Sequence, residues 1–428
     1  MGTKASPNPP ASLKLRGTGS SKGELTLKLF SMKRIPLLLL ILTSLLISCS
    51  KEKPIDKVID GSLVLSMKQY ELLYNVMKEK PGLLPRTLDT AGVLVTARSN
   101  WWTSGFFPGS LWYLYEYSGE QKFRDAATDM TSRIEKEKNN KGTHDLGFML
   151  FCSFGNGLRL TGEETYNEVL LTGASSLATR FRPQIGCIQS WNSRRGWQYP
   201  VIIDNMMNLE FLMWAFEKSG DSTFYNICVT HSDTTIKNHF RPDYSSYHVV
   251  SYDTVTGKVE AKQTHQGYSD ESAWSRGQVW GLYGYTVMFR ETGLRRYLDQ
   301  AVHIADFLIN NPNMPEDMIP YWDFNAPDIP GALRDASAGA IMASALIELS
   351  GMVDSVRGQG YLKVAEKQIR SLSSDNYLSK PGENGNFILK HGVGHLPGKS
   401  EVDVPLTYAD YYYIEALLRF KKLIQKKI

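Results

Sequence analysis

The sequence predicts an all-α protein, an (α/α)6 barrel of six helical hairpins. Three observations carry this. Five long apolar-periodic segments end in a hydroxyl residue followed by glycine: Ser118-Gly119, Thr161-Gly162, Ser219-Gly220, Thr292-Gly293 and Ser350-Gly351. Glycine there suits the left-handed residue that commonly closes a helix. After each pair comes a short polar break, then a second helix with an early aromatic, as at Phe123, Tyr166, Phe224, Tyr297 and Tyr361. The glycines are spaced 43, 58, 73 and 58 residues apart, room for a hairpin plus its loops. Finally, the loops before the inner helices are long and rich in Trp, Gly, His and Asp, whereas a peptide-binding solenoid has shorter, more uniform turns. A closed ring with these loops gathered at one mouth accounts for all three.

The elements follow in order. Residues 1–31 read as an upstream extension without structural meaning, because Met32-Lys33-Arg34 supplies the start and charge of a secretory signal. Residues 35–48, IPLLLLILTSLLIS, are too short to span a bilayer comfortably as a permanent helix. Leu46-Ile47-Ser48-Cys49 resembles a bacterial lipobox, so 32–49 is expected to be a lipoprotein signal and Cys49 the lipidated residue of the mature chain. Ser50 rather than Asp follows it, which weighs against retention at an inner membrane. The expected location is the cell envelope, lipid-anchored and periplasmic. Residues 50–61 are expected to be a polar tether, and 62–428 the catalytic domain. Within that domain the sixth hairpin is expected to pair the helix from Tyr361 to about Leu372 with a final helix from about Thr407 to Lys422.

Composition narrows the function. Of 428 residues, 42% are hydrophobic, 21% charged and 11% aromatic, which excludes disorder and a small disulfide scaffold. The net charge of +4 is too small to imply nucleic acid, and it concentrates near the N-terminus, where Lys4, Lys14, Arg16, Lys22, Lys28, Lys33 and Arg34 face only Glu24. Beyond Cys49, Cys152, Cys187 and Cys228 show neither CxxC spacing nor a metal-binding pattern with histidine. No metal and no cofactor are expected.

Polar groups set among apolar ones mark the candidate chemistry. Asp145 opens a helix in Thr143-His144-Asp145-Leu146-Gly147-Phe148, where it could equally cap the helix. Asp204 sits in Val201-Ile202-Ile203-Asp204-Asn205-Met206, a nearly apolar helix start in which desolvation would raise its pKa. Two such carboxylates at two helix starts suit acid/base work. Trp274, Arg276 and Trp280 suit an anionic sugar, the guanidinium facing its carboxylate and the rings its face; a buried ion pair is the competing reading. Arg334-Asp335 reads as helix-start structure. His231, His239 and His303 lie in ordinary helical patterns and read as structural.

The region from about residue 62 to 428 resembles glycoside hydrolase family 88, the unsaturated glucuronyl hydrolases. The motifs that carry this are SNWWTSGFFPGSLW, HDLGFM, IDNMMNLE, HQGYSDESAWSRGQVWGLYGY and DVPLTYADYYYIEALLR. The resemblance implies an (α/α)6 barrel without metal. It also implies hydrolytic removal of a 4,5-unsaturated uronic acid from the non-reducing end of lyase-generated oligosaccharides. It makes Asp204 the general acid/base and Asp145 a second essential aspartate. Trp102, His144, Trp191, His248, Thr264, Gln266, Trp274, Arg276 and Trp280 match positions lining the sugar subsite. In the late loop, Lys399 and Ser400 are expected near the next sugar, where a sulfate could be met. Glycosaminoglycan fragments are the favoured substrates. The rival readings are an unsaturated rhamnogalacturonyl hydrolase acting on pectin fragments and a glycan-binding lipoprotein without catalysis.

Overall fold

A computed structural model describes residues 52–426; the signal segment and Cys49 lie outside them. Twelve α-helices among the described residues form two concentric rings. The outer helices are α1 (Ile55–Met77), α3 (Gln121–Ser132), α5 (Thr165–Ala178), α7 (Ser222–His239), α9 (Arg295–Ile309) and α11 (Ser355–Leu372). Inside them lie α2 (Phe106–Ser118), a π-helix (Gly147–Gly155) running into α4 (Asn156–Thr161), and a 3₁₀ turn (Ile203–Asn208) running into α6 (Leu209–Ser219). The ring continues through α8 (Ser275–Thr292), α10 (Ala336–Leu349) and α12 (Thr407–Gln425), and α12 packs on α2 to close it.

Burial separates the two rings as amphipathicity requires. On α8 every residue from Ser275 to Met288 is buried, as expected of a helix covered on all sides. Outer α9 buries one stripe, Tyr297, Leu298, Ala301, Ile304, Ala305 and Leu308, at helical spacing. Four of the five expected helix-closing glycines adopt positive φ, Gly119, Gly162, Gly220 and Gly293, while Gly351 does not.

Two boundaries differ from expectation. The tether is shorter than 50–61, because α1 begins at Ile55 and buries Ile59 and Leu63 against the core. The sixth hairpin pairs differently as well. Helix α11 packs on α10, and the outer partner of the last helix, α12, is the first, α1. A closed ring leaves its two chain ends adjacent, so the final pair is made by elements farthest apart in sequence.

Among the described residues, nine short strands decorate one end. β1 (Leu83–Leu88) pairs with β2 (Leu94–Arg98), β3 (Phe181–Arg182) with β4 (Cys187–Ile188), and β8 (Gly392–His395) with β9 (Ser400–Val404). β5 (Tyr199–Ile202), β6 (Val249–Tyr252) and β7 (Val259–Gln263) form an antiparallel sheet. β2, β5, β7 and β9 each precede an inner helix, so they bring their loops to the end of the barrel where those helices begin.

Candidate active site

Asp204 lies in the first turn of the 3₁₀ segment directly after β5. Pairing of β5 with β6 brings His248 alongside: Ile203 N–H donates to its carbonyl at 3.1 Å. His248 Nδ1 accepts the backbone N–H groups of His265 and Gln266, both at 3.1 Å. The ring proton of the neutral imidazole therefore sits on Nε2, 3.7 Å from Asp204 Oδ2. Burial holds the His248 pKa well below the usual range, so the ring remains neutral.

Asp204 is 8% exposed, and its Oδ2 has no hydrogen-bond partner. Burial pushes its carboxyl up to about 7; the Arg276 guanidinium opposes the shift, and the like charge of Asp145 adds to it. A carboxyl of that kind can hold a proton near neutrality and give it up.

Asp145 stands just before the π-helix. Its Oδ2 accepts from Thr143 Oγ1 at 2.5 Å, and its Oδ1 lies 3.2 Å from Nε2 of His144, which burial keeps neutral. The segments bearing the two aspartates are locked together. Phe148 N–H donates to Asn208 Oδ1 at 3.2 Å, and a Cβ on Gly147 would stand 2.7 Å from that same oxygen. Gly105 has a similar role at the start of α2, where a Cβ would meet the Phe148 carbonyl at 2.1 Å.

Asp204, Asp145 and His144 line a cavity of about 310 Å³. Of the residues expected at the sugar subsite, Trp102, His144, Trp191, Gln266 and Ser400 share its wall with both aspartates. His248, Thr264, Trp274 and Trp280 stand behind it. Trp274 packs its ring on His248 with centroids 4.4 Å apart, and Trp280 packs on Phe148 at 5.2 Å. Thr264 Oγ1 accepts from Gly267 N–H, shaping the turn whose N–H groups hold His248. Lys399 is exposed and off the wall; it occupies the β8–β9 turn with φ +50°, while Ser400 and Glu401, the first residues of β9, both line the cavity.

Arg276 is 1% exposed, and both of its Nη groups are engaged within the protein while Nε has no hydrogen-bond partner. Nη1 donates to Asp335 Oδ2 at 2.7 Å and to Val393 O at 2.6 Å, and Nη2 to Gly394 O at 2.6 Å. This is the buried ion-pair arrangement rather than a guanidinium facing open cavity. Its effect on the site is to hold β8, whose Gly394 carbonyl also accepts from Gln266 Nε2 at 2.9 Å. Asp335 caps α10, accepting from Ser337 N–H, in keeping with the helix-start reading. His231 accepts from Ile188 N–H, His239 Nε2 lies 3.1 Å from the Val201 carbonyl, and His303 stacks on Tyr244, all structural roles.

The cavity also has walls that sequence reasoning missed: Arg86, Asn100, Trp101, Arg194, His265, His395 and Glu401. Adjacency to Trp102 was a signal for Trp101, and position between Thr264 and Gln266 was one for His265. Arg86 and Glu401 form an ion pair at 2.6 Å across 315 residues of chain, which no local pattern announces.

A closed double ring of helices holding a buried carboxyl of raised pKa and a second aspartate in a tryptophan-walled cavity has the make-up of a glycan-hydrolysing barrel. Comparison with known proteins agrees. The sequence matches the Glycosyl Hydrolase Family 88 profile over residues 84–421, and the chain belongs to that family. It is 42% identical over 406 residues to an unsaturated glucuronyl hydrolase of Formosa agariphila, covering 92% of this chain and 100% of that one. It is 32% identical to an unsaturated chondroitin disaccharide hydrolase of Streptococcus pneumoniae, over 86% of this chain and 91% of the relative. Among solved structures, an unsaturated glucuronyl hydrolase specific for heparin superposes with a TM-score of 0.84 at 48% identity, covering 87% of this chain and 99% of the other. The Bacillus sp. enzyme, described as responsible for degrading glycosaminoglycan, superposes at 0.78 with 30% identity, over 84% and 96% of the two chains.

Proposed function

We propose that this glycoside hydrolase removes a 4,5-unsaturated uronic acid from the non-reducing end of lyase-generated glycosaminoglycan fragments by hydrating the vinyl ether. The observation that carries the reading is Asp204, a buried carboxyl raised to about 7 with an unpartnered oxygen in the cavity. The proton on Asp204 transfers to C4 of the sugar as the C4–C5 double bond opens, leaving oxocarbenium character at C5. Asp145, beside it, supports that positive charge and orients the substrate. The Asp204 carboxylate then takes a proton from water, whose oxygen bonds to C5. The resulting hemiketal opens, the C5–ring-oxygen bond breaks, and the aglycone leaves from C1 as an alcohol. One group thus serves as acid and then base, which suits a pKa near neutrality.

His248 holds its N–H toward Asp204 and can stabilise the carboxylate that the first step leaves. Trp102 and Trp191 supply aromatic surface for the sugar. A binder without catalysis gains nothing from a carboxyl buried at this cost, which counts against that reading. The names of the chondroitin and heparin relatives favour glycosaminoglycan over pectin fragments. With its lipobox at Cys49, the enzyme is proposed to act in the periplasm on a lipid anchor.

Turnover in D2O tests the chemistry. Deuterium should enter C4 of the released keto-uronate from one face, with loss of the alkene's ultraviolet absorbance. A saturated glucuronide, having no vinyl ether, should resist. Rapid hydrolysis of the saturated substrate would refute the hydration route. Parallel assays with chondroitin, heparin, hyaluronan and pectin disaccharides decide the substrate class.

A further inference from the structure

The cations at the mouth of the cavity are not equivalent. Arg86 is neutralised by Glu401, and its guanidinium lies 4.0 Å over Trp101. Arg194, on the cavity wall, makes no ion pair among the described residues; its guanidinium lies 3.9 Å over the Trp191 ring. Arg195, next to it, also lacks a carboxylate, and its Nη1 lies 2.8 Å from His265 Nδ1. Partial burial and the neighbouring charge of Arg195 lower the Arg194 pKa, so this corner of the site bears uncompensated positive charge. His265 beside it is neutral, its pKa pushed down by burial to about 3, so it neither offsets nor adds to that charge.

Place decides which anion this corner suits. The reacting carbons, and the carboxylate attached to C5, must lie at Asp204. His248 faces Asp204 at 3.7 Å, the Trp191 ring stands beyond it with centroids 6.3 Å apart, and Arg194 covers Trp191. Arg194 is therefore two rings outward from the acid, exposed at the rim. There it can meet a substituent of the sugar rather than the carboxylate at the reacting centre. A guanidinium oriented on an indole face presents N–H donors in a plane, a geometry suited to the oxygens of a tetrahedral oxyanion.

We infer that Arg194, backed by Arg195, recognises a sulfate ester on the bound disaccharide. This rests on the hydrolase reading above and adds a residue to it. Lys399, the cation expected for this role from the sequence, stands off the wall. The sulfate could be carried by the unsaturated uronate itself or by the next sugar. The two share the same chemistry, and substrates sulfated at a single position separate them.

The experiment compares kcat/KM of the wild type, Arg194→Ala and Arg194→Lys on four unsaturated disaccharides: unsulfated, sulfated on the uronate, and 6-O- or N-sulfated on the second sugar. For at least one sulfated substrate, Arg194→Ala should lower kcat/KM at least tenfold more than for the unsulfated one. Arg194→Lys should restore part of that difference, and added salt should shrink it in the wild type. The substrate that loses most identifies the sulfate's position. An equal loss on all four, or no loss, overturns the inference while wild-type turnover of the unsulfated disaccharide leaves the hydrolase reading standing. Titration calorimetry of the same ligands against Asp204→Asn protein, with and without Arg194→Ala, decides the point independently of turnover. A sulfate-specific drop in affinity of tenfold or more supports the inference, and its absence refutes it.

Discussion

Replacing Asp204 by Asn tests the acid and its burial together, because the same desolvation that suits the carboxyl for catalysis makes it costly to the fold. The residue is 8% exposed and its carboxyl pKa is raised from 3.8 to about 7. Below pH 4 the carboxyl is protonated in both folded and unfolded chains, and burial carries no ionisation penalty. Between 4 and 7 the unfolded chain releases the proton and the folded chain retains it, so folding stability falls as pH rises, and above 7 the loss is complete. A shift of that size corresponds to a ceiling of roughly 4 kcal/mol at pH 8 and about 1–2 kcal/mol at pH 5. Asn removes the titration. An unsatisfied amide could add a cost of about 1–3 kcal/mol, but that cost is the same at every pH. The diagnostic quantity is therefore the change with pH: relative to wild type, Asp204→Asn should gain about 2–3 kcal/mol between pH 5 and pH 8. Denaturant titrations of both proteins at the two pH values measure it. Turnover of an unsaturated disaccharide should fall on the order of 10²-fold or more in the same variant. In the wild type, kcat/KM should decline above pH 7 as the free acid loses its proton. A stability difference that does not vary with pH, or near-normal turnover in the folded variant, would refute the reasoning.

Three further perturbations separate the roles assigned here. Arg276→Ala leaves Asp335 buried without its partner and should destabilise the protein by about 3–5 kcal/mol, seen as a lower melting temperature; a stable variant defective only in kinetics would restore the substrate-facing reading. Asp145→Asn should keep the fold and lower kcat much more than it raises KM, since the lost charge matters most when the sugar becomes cationic; an effect confined to KM would make Asp145 a binding residue only. Cys49→Ala should abolish incorporation of labelled fatty acid and release the protein from the membrane fraction, and unchanged labelling would exclude the lipobox.

Helix content and helix ends were legible in the sequence because they depend on neighbours a few residues apart, and the number of hairpins they mark pointed to the barrel. A Ser/Thr-Gly pair ends a helix wherever it lies, and four of the five glycines took the left-handed conformation expected of them. Asp204 was legible for the same reason: its flanks are almost wholly apolar, so its burial and raised pKa were written in residues 201–209. Asp145 was half legible, since a helix-start aspartate reads equally as a cap until the cavity is seen.

Tertiary structure decided whatever depends on partners distant along the chain. That α12 closes against α1 follows from ring closure, which no local pattern encodes. Arg276 stands out in the sequence as a charge among indoles, but its acceptors lie at Asp335, Val393 and Gly394, between 59 and 118 residues away. Its direction could not be deduced from the indoles beside it. Pairing of β9 with β8 places Ser400 and Glu401 on the cavity wall and leaves Lys399 in the turn outside it, and the wall arginine without an ion pair comes instead from the loop before β5. The chain thus specifies by itself which residues are polar among apolar neighbours, because hydrophobic periodicity and helix capping act over a few residues. Which of those residues face the substrate and which face one another is a matter of long-range packing, settled only when the ring has closed.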